Sequence, residues 1–569
     1  MSSVLKFVLP SLLAAVPVLA QPSIGGIVNG ASYTSAPLDA KSNPVGNNLV
    51  AQGAIFVIFG KNMGPTSLVG SSSLPLTTTL PASTGTSVSI TSGGKTVSAY
   101  MVYTSAGQVA AILPSDTPIG AATVTVSYNG QTSAAASINV VQSGLGVFTD
   151  NSQGNGPAIA QVYHVGSTTP GLVALTNSAE PGDTLIVYGT GLGAITGADN
   201  EPPGAVSVGT NVTVNIAGTQ IPVLYAGRSP NFPGLDQINF KLPSNVSTGC
   251  YIPAEITATG QPGNLFYLSI ASGSTTCTHP FGLDAASMST LDKGGTINIG
   301  LFLLLAAVEL GAPAEGAGGL FDNAGADTIF QMYSRIVFAF GGINFPVAAG
   351  SCAVLQTTDP YVAPSVPNLA ALGGTELNAG GAVTVTSTGL VGVGGYGIPR
   401  LSTGGYETVF FDVLGQGTAT VVGTGGPAVG AFTATTTLPA NLVWSNVGNL
   451  ASPPRTGITV TWTGGSVNAQ SLVTVFGSSV VINPTDPSKN RGAEFFCNAP
   501  ASAGMFTIPA STLQQLPSGA TLASGEVASG ALGINAGGGS SFTAPLTMGT
   551  LNAGYLAFGE AQSIPVTYQ

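Results

Sequence analysis

Two stretches of this chain repeat one another at a fixed distance, and that constrains the fold more than any other feature. "AQGAIFVIFGKNMGP" (51–65) aligns with "EPGDTLIVYGTGLGA" (180–194), setting Gly53 on Gly182, Phe56 on Leu185, Gly60 on Gly189 and Gly64 on Gly193. The same 129-residue offset sets "GQVAAILP" (107–114) on "LDQINFKLP" (235–243), with Gln108 on Gln237 and Pro114 on Pro243. Two distant blocks sharing one offset mark a duplicated domain of about 130 residues.

Each copy reads as short strands separated by turn signals. "SVSITSGGKTVSAYMVYTS" is a strand, a Gly-Gly turn and a strand, and Asn129-Gly130 sits between two alternating runs. About seven short antiparallel strands per unit predict an immunoglobulin-like sandwich. Gly189-Thr190-Gly191-Leu192-Gly193-Ala194 matches the G-x-G-x-x-A form of a dinucleotide-binding turn. That fingerprint needs a helix N-terminus immediately behind the glycines to hold the pyrophosphate. The next residues, "ITGADNEPPGAVSVGTNVTV", contain prolines and glycines that leave no room for one. The motif is therefore expected to be a strand running into a glycine turn, and no nucleotide cofactor is expected.

Composition supports a β-rich chain. Only 6% of the 569 residues are charged, against roughly 25% in ordinary soluble domains. Glycine (80) and proline (39) are abundant, so the surface is wetted by hydroxyls and amides in place of Lys, Glu and Arg. Twelve basic residues face 23 acidic ones without a basic cluster, which argues against nucleic-acid binding. The longest internal apolar run, "IGLFLLLAAV" (299–308), is about half of what a membrane-spanning helix needs and reads as a buried strand. Residues 1–20, with Lys6, an apolar stretch and Val18-Leu19-Ala20, read as a secretory signal peptide. No transmembrane segment is expected after its removal, and the mature chain is expected to be secreted or associated with the cell surface.

The ordered motifs "GASY", Gly60 to Pro65, "GQVAAILP", "GLGVFTDNSQGNGPAIAQVYH", "NSAEPGDTLIVYGTGLG" and "PGLDQINFKLP" resemble a secreted repeat family of acidobacteria, an uncharacterised Solibacter-type C-terminal domain. That family is similar to the IPT/TIG immunoglobulin-like folds of cell-surface proteins. The resemblance covers residues 25–280. It implies a sandwich fold and an extracellular setting, and it carries over no activity and no catalytic residue.

The expected organisation is a signal peptide (1–20), Ig-like β-sandwich repeats at 21–150 and 151–280, a β-rich domain at 281–437 and a C-terminal β-sandwich at 438–569. The fold class is thus mostly β: tandem immunoglobulin-like antiparallel sandwiches followed by further β-sandwich domains. "LDKGGTINIGLFLL" and "LNAGGAVTVTSTG" share a Leu-x-x-Gly-Gly opening into a strand. "DTIFQMYSRIVFAF" (327–340) fits a helix or a buried strand, and "IPASTLQQLP" (508–517) fits a short helix that Ser511 could cap.

Candidate site residues are few. Export permits disulfides. Cys250 is expected to pair with Cys277 within repeat 2, and Cys352 with Cys497 as a staple between the last two domains, the alternative for the latter being two buried free thiols. Trp444 and Trp462, eighteen residues apart, are either a sugar-stacking platform or core anchors. His164 and His279 are expected to be surface or hydrogen-bonded histidines. Asp150 to Gly156 only faintly resembles a calcium loop, and Asp199 and Glu201 are expected on an exposed loop. No catalytic residue, metal or cofactor is expected. The leading reading is a non-enzymatic exported scaffold or adhesion surface with glycans or other surface proteins as partners. A carbohydrate-binding protein using the C-terminal aromatics is the alternative, and a hydrolase with an unrecognised site is a weaker one.

Overall fold

The computed structural model describes residues 20–33, 49–81, 85–208, 211–307, 314–339, 345–356, 374–388, 390, 395–402, 404–410, 414–484, 490–547 and 549–569. The expected leader, apart from Ala20, lies outside them.

Repeat 1 is a two-sheet sandwich. One sheet runs Ser23–Asn29, Ile55–Lys61, Gln108–Ile112, Tyr100–Thr104 and Val69–Gly70. The other runs Leu49–Ala51, Ala136–Val141, Gly120–Tyr128, Thr86–Ser92 and Thr79–Leu80, with two short strands attached. Side chains alternate between faces along each strand. Phe56, Ile58, Val88, Ile90, Val109, Ala111, Val124 and Val126 therefore all point inward and form one core.

Repeat 2 reproduces this pairing. Ile55 faces Ile112 in repeat 1, and Thr184 faces Lys241 in repeat 2, each residue moved by the same 129. The Gly53 N–H donates to the Leu113 carbonyl, and Gly182 donates to Leu242. The Asn129-Gly130 turn (φ 49° and 73°) recurs as Thr259-Gly260 (φ 53° and 75°). Both are two-residue turns with positive φ at each centre, the geometry that matches the strand twist. The hairpins that precede the shared Gln-Val/Ile strand differ. Three residues, 105–107, join its strands in repeat 1, and seven, 229–235, join them in repeat 2.

Residues 297–565 build a nine-stranded sheet in the order Cys352–Gln356, Arg491–Pro500, Leu472–Ile482, Val527–Phe542, Ala553–Pro565, Ile297–Ala307, Ala314–Ala324 and Thr375–Glu376, with Tyr406–Phe410 also on Ala314–Ala324. Ile297–Ala307 pairs in parallel with Ala553–Pro565. The expected division at 437/438 is therefore not a break in strand pairing, because the strands on either side of it share one sheet. A four-stranded sheet packs on Phe302, Leu304 and Phe558, and a three-stranded sheet packs around Trp444 and Trp462.

Over its described part the run at 299–308 is an interior strand of this sheet. Ile299, Leu301, Leu303 and Leu305 enter one core, and Phe302 and Leu304 enter another. Burial on both faces accounts for an unbroken apolar sequence. The two Leu-x-x-Gly-Gly openings do lead into strands, at Ile297 and Ala382, but in different sheets.

Among the described residues three α-helices interrupt the strands. α1 (Ala285–Asp292), not expected from sequence, is capped by Asp284, whose side chain accepts from the Ser287 N–H at 2.8 Å. α2 (Ala326–Ala339) settles the ambiguity at 327–340 as a helix over its described part. Ile329, Phe330, Met332, Tyr333, Ile336 and Val337 are buried at helical spacing. α3 (Ala510–Leu513) forms where a short helix was expected, but its N-cap is Pro509, and Ser511 lies inside the turn. Among the described residues no helix is long and apolar enough to cross a membrane.

Candidate functional site

The glycine turn 189–194 is where repeat 2 meets repeat 1. No helix comes after it; the strand Thr184–Thr190 ends in Gly191 and Gly193, with φ of 110° and 134°. That conformation turns the Gly193 carbonyl to the Arg228 guanidinium, which donates to it at 2.7 Å and to the Gly53 carbonyl of repeat 1 at 3.1 Å. Arg228 is fully buried and ion-paired with the equally buried Asp236. Asp236 also accepts from the Leu192 N–H at 2.7 Å. The two charges occupy the ends of the long 229–235 hairpin, so the seven-residue loop carries the pair to the joint. A side chain at Gly53 (φ 70°) would run into Arg228.

Further directional contacts surround this centre. Thr190 Oγ1 accepts from the Ile55 N–H at 2.8 Å and donates to the Gly234 carbonyl at 2.7 Å. Asn29 Nδ2 donates to the carbonyls of Gly144 (2.9 Å) and Thr190 (3.1 Å). Asp199, expected on an exposed loop, is instead 6% exposed. It accepts from the Ser115 N–H at 2.6 Å and the Ser115 hydroxyl at 2.7 Å. Burial raises its carboxyl above the ordinary value, against the pull of the Ser115 donors and Arg228. The neighbouring Asn200 exchanges hydrogen bonds with the Leu76 backbone.

Repeat 2 meets the C-terminal unit differently. One hydrophobic cluster runs without a break from Val187, Ile238 and Tyr251 through Tyr267 to Phe330, Tyr333, Leu301 and Leu303. Tyr251 packs on Tyr333 (5.0 Å between ring centres) and on Phe330 (5.4 Å). Polar contacts border it: Asp292 accepts from the Leu175 and Thr176 N–H groups, and Asn151, from the weak calcium-like loop, donates to Asp327 at 3.0 Å.

The structure joins Cys250 to Cys277 and Cys352 to Cys497. The second pair does not staple two domains, because its cysteines face each other on adjacent strands of one sheet. Trp444 and Trp462 also lie directly opposite on paired strands, but at 4% and 2% exposure they are core residues and offer no stacking platform. Their indole N–H groups donate to Asn446 Oδ1 and the Ala501 carbonyl, both at 3.0 Å, which satisfies the one polar atom an indole buries. His164 is half-buried, with Nδ1 2.7 Å from Asp183 and Nε2 3.2 Å from Asn177. His279 is buried, and burial pushes its pKa down to about 3. No sequence motif marks Arg228 or Asp236. The available signal was scarcity, since a chain with 6% charged residues has few charges whose position is arbitrary.

No protein-family model matches the chain, and no curated protein matches it. Solved structures similar to it include the plexin A4 extracellular region, at 8% identity over 87% of this chain and 30% of that one, TM-score 0.16. Domains 4–9 of the surface-layer protein SbsC align at 9% identity over 96% and 83%, TM-score 0.15. SGBP-B, from a xyloglucan utilization locus in Bacteroides uniformis, aligns at 9% identity over 85% and 87%, TM-score 0.15. The chain thus spans less than a third of the plexin it matches.

Proposed function

We propose that this protein is an exported, non-enzymatic scaffold whose rigid β-modules hold an interaction surface at a fixed distance and angle. The observation that carries the reading is the double fusion of repeat 2, to repeat 1 through Arg228, Asp199 and Thr190, and to the C-terminal unit through one continuous core. A linker whose two flanking modules share buried directional contacts does not swing freely. Two disulfides suit an oxidising compartment outside the cytosol. Membership of the acidobacterial repeat family belongs to the same proposal and is supported by the order of its motifs. The sugar-platform reading loses Trp444 and Trp462 to the core.

The test is single-molecule energy transfer between dyes placed through unnatural amino acids at the exposed Leu68 and Val443. One narrow distance distribution in the mature protein is expected, and a broad or multi-peaked one would overturn the rigid scaffold. Sequencing the exported protein from its N-terminus checks the compartment, with Gln21 expected as the first residue.

A further inference from the structure

A cavity of about 210 Å³ opens where repeat 2, its connector to α1, and the C-terminal unit meet. Tyr251 and Ile252 of repeat 2, Phe281 of the connector, Tyr333 and Val337 of α2, and Tyr555 of the strand Ala553–Pro565 contribute to its walls. Among the described residues no Asp, Glu, Lys or Arg lines it. A charged ligand entering it would lose its hydration without a counter-charge. An apolar cavity of about 150 Å³ takes a benzene ring. This one therefore holds one ring with a short substituent.

Tyr251 lines the cavity with a hydroxyl on offer, and His279, behind the wall, sets how that hydroxyl is used. His279 Nδ1 accepts from the Phe281 N–H at 3.1 Å, so in the neutral ring the proton sits on Nε2. Nε2 lies 3.3 Å from the Tyr251 hydroxyl, which is then the acceptor of that bond. Tyr251 is 4% exposed, and its own O–H proton is left without an acceptor among the described residues. A buried donor without a partner is unfavourable, and a ligand oxygen would relieve it.

We infer that this cavity is a binding site for a small uncharged ring compound bearing a hydrogen-bond acceptor, such as a neutral aromatic ketone, held by its ring among the aromatic walls and by its oxygen on Tyr251. The site exists only while repeat 2 and the C-terminal unit stay docked, so its occupant stabilises that junction.

Acetophenone, ethylbenzene and benzoate are the probes, titrated into the full mature chain by calorimetry and by ligand-observed NMR. Acetophenone is expected to bind saturably and to raise the melting temperature. Ethylbenzene, which lacks the acceptor, is expected to bind roughly tenfold more weakly, the value of one net hydrogen bond, and benzoate not at all. Tyr251→Phe is expected to bring acetophenone down to the ethylbenzene affinity while leaving ethylbenzene unchanged. Thr248 is exposed at the rim, so Thr248→Trp closes the mouth without entering the core and is expected to abolish both. The inference is overturned if acetophenone does not saturate folded wild-type protein. It is equally overturned if benzoate binds as well as acetophenone, if ethylbenzene matches acetophenone in the wild type, or if folded Thr248→Trp retains binding.

Discussion

Repeat 2 is fixed at both ends by opposite means. Toward repeat 1 it uses an ion pair, a carboxylate, a threonine and Asn200, and the core of repeat 1 stays separate from its own. Toward the C-terminal unit it uses aromatic and aliphatic side chains, and the core of one module continues into the next. Hydrogen bonds weaken steeply with angle and distance, so the first junction specifies an orientation. Apolar contact is non-directional and scales with area, so the second specifies attachment. Each kind of junction should fail in its own way.

The largest effect belongs to Arg228→Ala. It leaves Asp236 charged and buried without its partner, a loss of about 3–5 kcal/mol. Denaturant unfolding should then show repeat 1 and repeat 2 coming apart in separate transitions. The double variant Arg228→Met with Asp236→Leu should recover most of that stability, because apolar residues of similar volume replace a buried pair at little cost. It should not recover the narrow Leu68–Val443 distance, since the bonds to Gly53 and Gly193 are gone. Recovery of both would mean that the pair does not set the angle.

Acid should separate the junctions next. His279, beside the apolar junction, has its pKa lowered by burial to about 3. A lowered pKa means that the unfolded chain takes up the proton first. The stability His279 contributes is therefore present above its ordinary value of about 6.5 and is lost as pH falls toward 3, by about 1.4 kcal/mol per pH unit. His279→Gln should flatten that slope in urea titrations. Asp199, at the polar junction, has the opposite sign. Its carboxyl is raised by burial, so its contribution is complete below the ordinary carboxylate range and declines as pH rises through the shifted value.

Asp199→Ala tests the polar junction more gently. It strips the Ser115 N–H and hydroxyl of their acceptor at a buried interface, which costs about 1–3 kcal/mol. Faster proteolysis at the 142–145 linker is the expected readout. An unchanged cleavage rate would show that Arg228 carries the joint without it.

The repeats were legible because turn geometry leaves marks in sequence. Gly53 and Gly182 recur because the backbone there has positive φ, and the strand register repeats with them. The nine-stranded sheet left no such mark. Ile297–Ala307 and Ala553–Pro565 pair in parallel across more than half of the C-terminal unit, and no local pattern encodes a partner that distant. α2 was ambiguous because Ile329, Phe330, Tyr333 and Val337 are apolar residues that suit a buried strand as well as a helix face. The joint was hidden for another reason. Asp199 sits among glycines and prolines that read as a solvated turn, and only the approach of Ser115 from the other repeat buries it.

The smallest effects make the sharpest comparison. Thr190→Val keeps the shape of a buried side chain but leaves the Ile55 N–H of repeat 1 without its acceptor and the Gly234 carbonyl without its donor, at about 1–3 kcal/mol. Ile336→Val, on α2 at the apolar junction, removes one buried methylene at about 0.5–1.5 kcal/mol. These ranges overlap, so equilibrium unfolding is a poor way to distinguish them. The energy-transfer distribution should, because losing a directional bond frees an angle, whereas neighbouring side chains close over a missing methylene without turning either module. A broader distribution in Thr190→Val alone is expected. Equal broadening in both would mean that the two junctions hold repeat 2 by the same physics, and that burial alone fixes the angle between the modules.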